Sequence, residues 1–342
     1  MPTDEYVDAL RRELELRVPA GEPTAVETIY LGGGTPSRLG ASGVARVVEL
    51  IATRFPPGAE AEITLEANPD DVSPAAVAAW RAAGINRVSL GVQSFDDGAL
   101  RWMHRTHDAA RAEAAAAVLR DGGIENWSLD LIFSLPDGLG RAWEADVERA
   151  IALDPPHVSL YGLTVEPHTP IARWRDRGTS VEAGEDDYER EYLLADAALA
   201  TAGYEHYEVS NFGQRGRWSR HNRGYWSGAS YVGFGPAAHG FDGHTRRWNE
   251  REYAAWMRLL RDDRDPVGGC ETLTPENRVS EQVYLGLRTT DGLALRDDEL
   301  ALVRPWVEAG WGAVNAETLR LTPAGWLRLD SLAASLTMHR SR

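Results

Sequence analysis

The sequence predicts an α/β protein built on a parallel β/α barrel, followed by a small winged-helix-like α+β domain. Five short β-rich runs alternate with helical segments between residues 26 and 163, which is the rhythm of parallel β/α units. Polar residues or glycines close successive runs, where such a barrel places its working groups. Beyond residue 250 the order changes to helices followed by a small β element. The expected organisation is a barrel over 1–210, a Gly- and aromatic-rich loop region over 211–250, and the C-terminal domain over 251–342.

The elements follow in order. Residues 4–17 read as an amphipathic helix on Tyr6, Val7, Leu10, Leu14 and Leu16. Val26–Leu31 is the first strand and runs into Gly32, Gly33, Gly34 and Thr35, with a helix near 41–54. Ile63–Glu66 is the second strand. Ser73 is the expected N-cap and Pro74 the first residue of a helix over 74–83. Arg87–Val92 is a strand, and 96–104 and 108–121 are helical. Trp127–Phe133 is a strand, 141–152 a helix and His157–Leu163 the fifth strand. A long helix covers 185–202 and a strand Tyr204–Val209. The C-terminal part reads as helices at 251–261, 276–288 and 296–308, a strand at Leu319–Leu321 and a helix from Pro323 to Leu336.

Composition narrows the function. The 342 residues carry 52 acidic and 36 basic side chains, a formal charge of −16, so a nucleic-acid partner or an anionic membrane surface is not expected. All the basic residues are arginine, which excludes a Schiff-base lysine and a Walker A loop. The one cysteine, Cys270, is read as lying in a Gly-rich turn and as incidental. It cannot form an internal disulfide or by itself supply an iron–sulfur ligand set. No basic and apolar leader and no spanning apolar run are evident, and a cytoplasmic protein is expected.

Candidate chemistry sits at the strand ends. The glycines at 32–34 would let a ligand approach the backbone, although a tight turn needs them equally. Glu66 and Asp130 lie in apolar strands, where a carboxylate must be paired or useful, and Arg105 or Arg87 are the structural alternatives as partners. Gln93 directly follows a strand. These groups would converge on one pocket.

The segments GGGTPS (32–37), LEANP (65–69), RVSLGVQSF (87–95) and DLIFSLP (130–136) resemble the radical S-adenosylmethionine (SAM) proteins related to oxygen-independent coproporphyrinogen III oxidase. SRHNRGYW (219–226), GFGPAAHG (233–240) and YLGLRTTDGL (284–293) are similar to the HemW branch of heme chaperones, and the likeness runs from about 26 to 336. It implies a partial (β/α)6 radical-SAM-type barrel, N-terminally incomplete. It also implies SAM contacts from Gly33, Gly34, Thr35, Glu66, Gln93, Arg105, Asp130 and the backbone of Thr164. Carboxylates suit the SAM ammonium and ribose, and arginine its carboxylate. The family's CxxxCxxC motif, which holds a [4Fe-4S] cluster, does not occur here, and the first histidine is His104. The chain as written is therefore expected to lack radical catalysis, to leave Val26–Leu31 as an open sheet edge, and to derive from an under-called gene start or a truncation.

The resemblance also implies heme. His221, Asn222, Tyr225 and Trp226 form HNxxYW, with His221 as candidate ligand to heme iron, flat aromatic faces for the porphyrin, and Arg220 and Arg223 for its propionates. A loop histidine merely hydrogen-bonded beside aromatics is the structural alternative. His239 is a second candidate, His104 and His107 are read as surface residues, and Trp218, Trp226 and Trp248 as possible walls of one apolar pocket. Three functions compete: a heme chaperone that passes heme to an acceptor protein, a coproporphyrinogen III oxidase, and an inactive remnant.

Overall fold

The computed structural model describes residues 3–18, 21, 24–164, 173 and 183–341. Helix α1 (Thr3–Arg17) leads to strand β1 (Val26–Leu31). Four β/α steps follow: α2 (Gly40–Ala52) and β2 (Pro57–Ala67), α3 (Pro74–Ala82) and β3 (Arg87–Gln93), α4 (Asp97–Trp102) with α5 (Ala109–Asp121) and β4 (Asn126–Phe133), then α6 (Trp143–Ala152) and β5 (His157–Gly162). Helix α7 (Glu185–Thr201) precedes β6 (Glu205–Glu208) and β7 (Asn211–Gly213).

These strands make one seven-stranded curled sheet in the order β1-β2-β3-β4-β5-β7-β6. The first five are parallel, and β7 joins β5 and β6 antiparallel. The α/β half-barrel expected from the sequence is thus present. Among the described residues β1 pairs with β2 alone.

Local sequence explains why the helices start where they do. Ser73 Oγ accepts the Ala76 amide and Pro74 opens α3, as expected. Asp96 and Asp108 cap α4 and α5 in the same way. Strand alternation then sorts the sheet into two faces. Ile63, Leu65, Val88, Leu90, Trp127, Leu129, Val158 and Leu160 join Val44, Val77, Trp80 and Trp143 in one apolar core under the helices. Their neighbours along the strands, Thr64, Glu66, Ser89, Ser128, Asp130, His157 and Ser159, face the concave side. Registers Glu66↔Ser89, Ser89↔Ser128 and Ser128↔His157 set them in a polar row across four strands.

The stretch 211–250, expected as loop, carries β7, helix α8 (Arg220–Trp226) and strands β8 (His239–Phe241) and β9 (Thr245–Asn249). Helix α9 (Tyr253–Arg261) follows, and β10 (Val267–Thr272) pairs antiparallel with β9. Cys270 is exposed on that strand opposite Arg247, not in a turn. Trp256, Met257 and Leu260 of α9 belong to the barrel core. The reason is Glu13 of α1, fully buried, which accepts hydrogen bonds from Arg17, the Gly235 amide, Asn249 and Trp256 at 2.7–3.0 Å.

The remaining chain forms α10 (Pro275–Arg288), β11 (Leu293–Ala294), α11 (Leu300–Glu308), β12 (Gly312–Asn315), β13 (Thr318–Leu321), α12 (Pro323–Trp326) and α13 (Leu329–Arg340). Its three strands pair antiparallel in the order β11-β13-β12, and Val283, Leu287, Val303, Leu319 and Leu336 pack in a second core. These helices and the small antiparallel sheet form a unit with its own core. No helix among the described residues is long and apolar enough to cross a membrane.

Candidate functional site

Two groups of residues meet on the concave face of the sheet. The first stands at the C-terminal strand ends. Glu66 Oε1 accepts from the Tyr30 hydroxyl at 2.8 Å, and its Oε2 accepts from the Gly33 amide at 3.1 Å. Gly33 has φ +86°, and a Cβ at Gly32 would lie 2.3 Å from the Tyr30 ring and 2.6 Å from Glu66 Oε1. Glycine is therefore required at 32 for approach and suits 33 for conformation. Nothing lies within 4 Å of a Cβ built at Gly33 or Gly34, so the turn faces open space. Burial raises the Glu66 pKa and the nearby Asp130 charge adds to this, against the two hydrogen bonds.

Asp130 accepts from Ser89 Oγ at 2.7 Å and Ser128 Oγ at 2.9 Å, and burial raises its pKa too. Among the described residues no ion pair joins these carboxylates to Arg105 or Arg87, although the Arg87 charge acts on Asp130 from a distance. Arg87 donates to Asn126 at 2.7 Å, and neutral hydroxyls and an amide satisfy both acids. Gln93 ends β3 at φ +71°, where the register with β4 slips, and its amide folds over Gly91. The half-buried Arg105 side chain makes no hydrogen bond or ion pair with the described residues, its backbone amide donates to the Leu100 carbonyl at 2.9 Å, and burial lowers its pKa. Thr35 is half-buried beside the glycines, and Thr164 is exposed two residues beyond β5. The structure thus joins Gly33 to Glu66 directly and Asp130 to Glu66 through its charge, whereas Arg105 and Thr164 touch neither.

The second group surrounds α8. Ser219 caps the helix by accepting the Asn222 amide. Glu62 on β2 accepts the Arg220 and His221 amides at 3.1 and 3.0 Å. These contacts press His221 against β1. Its Nδ1 lies 2.8 Å from Thr28 Oγ1 and its Nε2 2.9 Å from the Tyr225 hydroxyl, while its ring stacks on Tyr30 at 4.7 Å and 17°. Burial lowers the His221 pKa to about 4, so the ring is neutral at physiological pH and retains one lone-pair nitrogen. Tyr30 therefore touches both groups, with its hydroxyl on Glu66 and its ring on His221.

Other expectations shift. Trp218 stacks on Tyr207 at 4.9 Å, the Arg288 guanidinium sits 4.0 Å over Trp226, and Trp248 lies by His239 at 6.2 Å. The three indoles have separate neighbours and do not wall one pocket. His107 is buried, its Nε2 3.1 Å from the Val92 carbonyl oxygen, because α5 and β3 close over it; it is not a surface residue. His104 and His239 are exposed. A cleft of about 420 Å³ beside α8 is lined by Glu205, Arg215, Gly216, Trp218, Arg220 and Arg223.

Sequence reasoning missed Thr28, Tyr30 and Glu62. A signal existed: in VETIYL and EAEITLEA these alternate with apolar residues, which places them on the polar face.

The residues present fit SAM: an open glycine turn and two carboxylates stand on the strands, and Arg105 follows β3 and α4 in the chain. They do not make a set of cluster thiolates, since Cys270 is the one cysteine and is exposed on β10.

A model of the radical SAM superfamily matches residues 3–148. The chain is 39% identical over 296 residues to heme chaperone HemW of Mycobacterium tuberculosis H37Rv, covering 85% of this chain and 75% of that protein. It is 33% identical to heme chaperone HemW of Bacillus subtilis, with 86% and 78% covered. Among solved structures, the radical SAM enzyme coproporphyrinogen III oxidase (HemN) from Escherichia coli superposes with a TM-score of 0.80 at 22% identity, covering 98% of this chain and 83% of that one. That last likeness is one of fold.

Proposed function

We propose, from the premise that the chain belongs to the HemW family within the radical SAM superfamily, that it acts as a heme chaperone by binding heme at α8 and releasing it to an acceptor protein. The carrying observation is His221, a neutral imidazole held from three sides with a single lone pair to offer. A neutral imidazole is a good axial ligand to heme iron. Asn222, Tyr225 and Trp226 lie on the same helix, and Tyr225 meets the imidazole directly.

Arg220 and Arg223 line the adjacent cleft and serve the propionates. Their present partners are exposed. Arg220 pairs with Glu27 at 3.6 Å and Arg223 with Asp291 at 3.2 Å. Exposed pairs of this kind contribute little and are readily exchanged for a carboxylate ligand.

SAM belongs at the strand ends, against Gly33, Gly34, Thr35, Glu66, Gln93, Arg105, Asp130 and the backbone of Thr164. Family membership implies SAM and a [4Fe-4S] cluster, and bound SAM would supply an ammonium, a carboxylate and ribose hydroxyls to this polar set. Glu66 and Asp130 accept hydrogen bonds there, and Arg105 offers a bidentate donor. We place the protein in the cytoplasm, with no nucleic-acid partner and with membrane contact only through its acceptor. The coproporphyrinogen III oxidase reading rests on likeness of fold alone.

Hemin titration tests the heme reading. The chain should show saturable Soret absorbance, and His221→Ala should weaken binding by at least about tenfold. Unchanged binding by the variant overturns the ligand assignment.

A further inference from the structure

His221 has both ring nitrogens occupied before any heme arrives. Thr28 Oγ1 of β1 takes Nδ1 at 2.8 Å, and the Tyr225 hydroxyl, one helical turn on, takes Nε2 at 2.9 Å. We propose that these two residues prepare the imidazole for loading: Thr28 orients the ring and assigns Nε2 as the ligating nitrogen, and Tyr225 is a removable cap on that nitrogen which an incoming metallotetrapyrrole displaces. This rests on the heme reading of His221 given above.

The assignment of nitrogens follows from hydrogen-bond chemistry. A neutral imidazole has one donor and one acceptor nitrogen. A phenol is a stronger acid than an aliphatic alcohol, so it donates better and accepts worse. Tyr225 O–H therefore donates to Nε2, and Nδ1–H donates to Thr28 Oγ1. A metal-binding histidine ordinarily has this second interaction, its other ring N–H given to an oxygen that fixes tautomer and orientation.

Access points the same way. Nδ1 backs onto a strand, so a flat ring system cannot reach it. Nε2 faces Tyr225, which is 36% exposed and meets Tyr231 edge-on at 4.7 Å. Tyr225 can swing outward without opening the core. His221 cannot follow it, because its ring stacks on Tyr30, its amide is held by Glu62, and the Tyr30 hydroxyl is held in turn by Glu66. On loading, the Nε2 lone pair exchanges a phenolic proton for iron. The Tyr225 O–H···Nε2 hydrogen bond breaks as the Nε2–iron bond forms, and the proton stays on Tyr225, so no proton is transferred.

The test has two arms. In the heme-free protein, long-range ¹⁵N NMR of the His221 ring should show Nδ1 protonated and Nε2 bare; a protonated Nε2 overturns the proposal. With hemin as the probe, Tyr225→Phe should raise the association rate and the affinity about fivefold, the weight of one ordinary hydrogen bond. Thr28→Val should lower the affinity about tenfold, as loss of a metal ligand's orienting partner does. Tyr225→Phe binding no faster or tighter than the parent, while His221→Ala abolishes binding, overturns the cap and leaves the heme reading standing. If His221→Ala binds hemin normally, the heme reading fails, and the NMR arm still judges the tautomer without reference to heme. That arm uses the unaltered chain, so it stands even if a variant does not fold.

Discussion

His157 sits fully buried on β5, with Nδ1 2.9 Å from Ser128 Oγ and Nε2 2.8 Å from the Tyr207 hydroxyl. Burial pushes its pKa well below the ordinary value, and the positive charge of Arg87 adds to this. The folded state thus holds the ring neutral, whereas the unfolded chain takes up a proton near pH 6.5. The unfolded state binds more protons below that pH, so this stabilisation is intact above about 6.5 and is lost as pH falls, by up to about 1.4 kcal/mol per unit. Urea unfolding between about pH 6.5 and 5.5 should show the parent losing about 1 kcal/mol more than His157→Gln. The raised carboxylates Glu66, Asp130 and Asp146 act with the opposite sign, but they are common to both proteins. Equal slopes would remove His157 as the cause. At this scale the identity of Glu66 and Asp130 as polar intrusions in apolar strands was legible. Their partners were not: Tyr30 is 36 residues from Glu66, and Ser89 is 41 from Asp130.

At the scale of elements, α8 shows how a short segment is made rigid. Seven residues are too few to hold a helix in water unaided. Ser219 caps its start, Glu62 takes two of its free amides, and Tyr207 accepts the Ser219 amide at 3.2 Å. Ser219→Ala should cost about 1 kcal/mol in chemical unfolding and weaken hemin binding in parallel. Unfolding and hemin affinity both unchanged would show that Glu62 alone suffices. Helices with strong local signals, such as α3 behind Ser73 and Pro74, were readable to within a residue or two. The β8, β9 and β10 meander was not, because its short strands alternate poorly and owe their form to pairing with one another. Nor was β7, three residues long, which exists because β5 and β6 flank it.

Across the whole molecule, Glu13 is the tie between the first helix and the chain beyond residue 230. It is fully buried with four donors: Arg17, the Gly235 amide, Asn249 and Trp256, the last 243 residues away. Arg17 also donates to the Gly233 carbonyl at 2.6 Å and lies over Phe234. The GFGPAAHG segment therefore serves α1 through its backbone rather than through His239, which is exposed. Glu13→Ala leaves the buried Arg17 guanidinium without its counter-charge and the Gly235 amide and Trp256 indole N–H without their acceptor, and should destabilise the protein by about 3–5 kcal/mol. A loss under about 1 kcal/mol in urea unfolding would show that water or repacking replaces the carboxylate.

The sequence by itself determined the β/α alternation, the residues at the strand ends, the family, and the HNxxYW motif that contains His221, because periodicity, caps and contiguous motifs are properties of neighbouring residues; that this motif is a helix and not a loop was decided by the fold. Only the tertiary structure decided that Glu66 pairs with a tyrosine and a glycine amide, that His107 is buried, that the indoles are dispersed, and that Thr28 and Tyr225 hold the two nitrogens of His221. Those outcomes depend on which side chains the curled sheet brings within 3 Å of one another across tens or hundreds of residues, and the energy of such contacts is settled by burial and geometry that no local stretch contains.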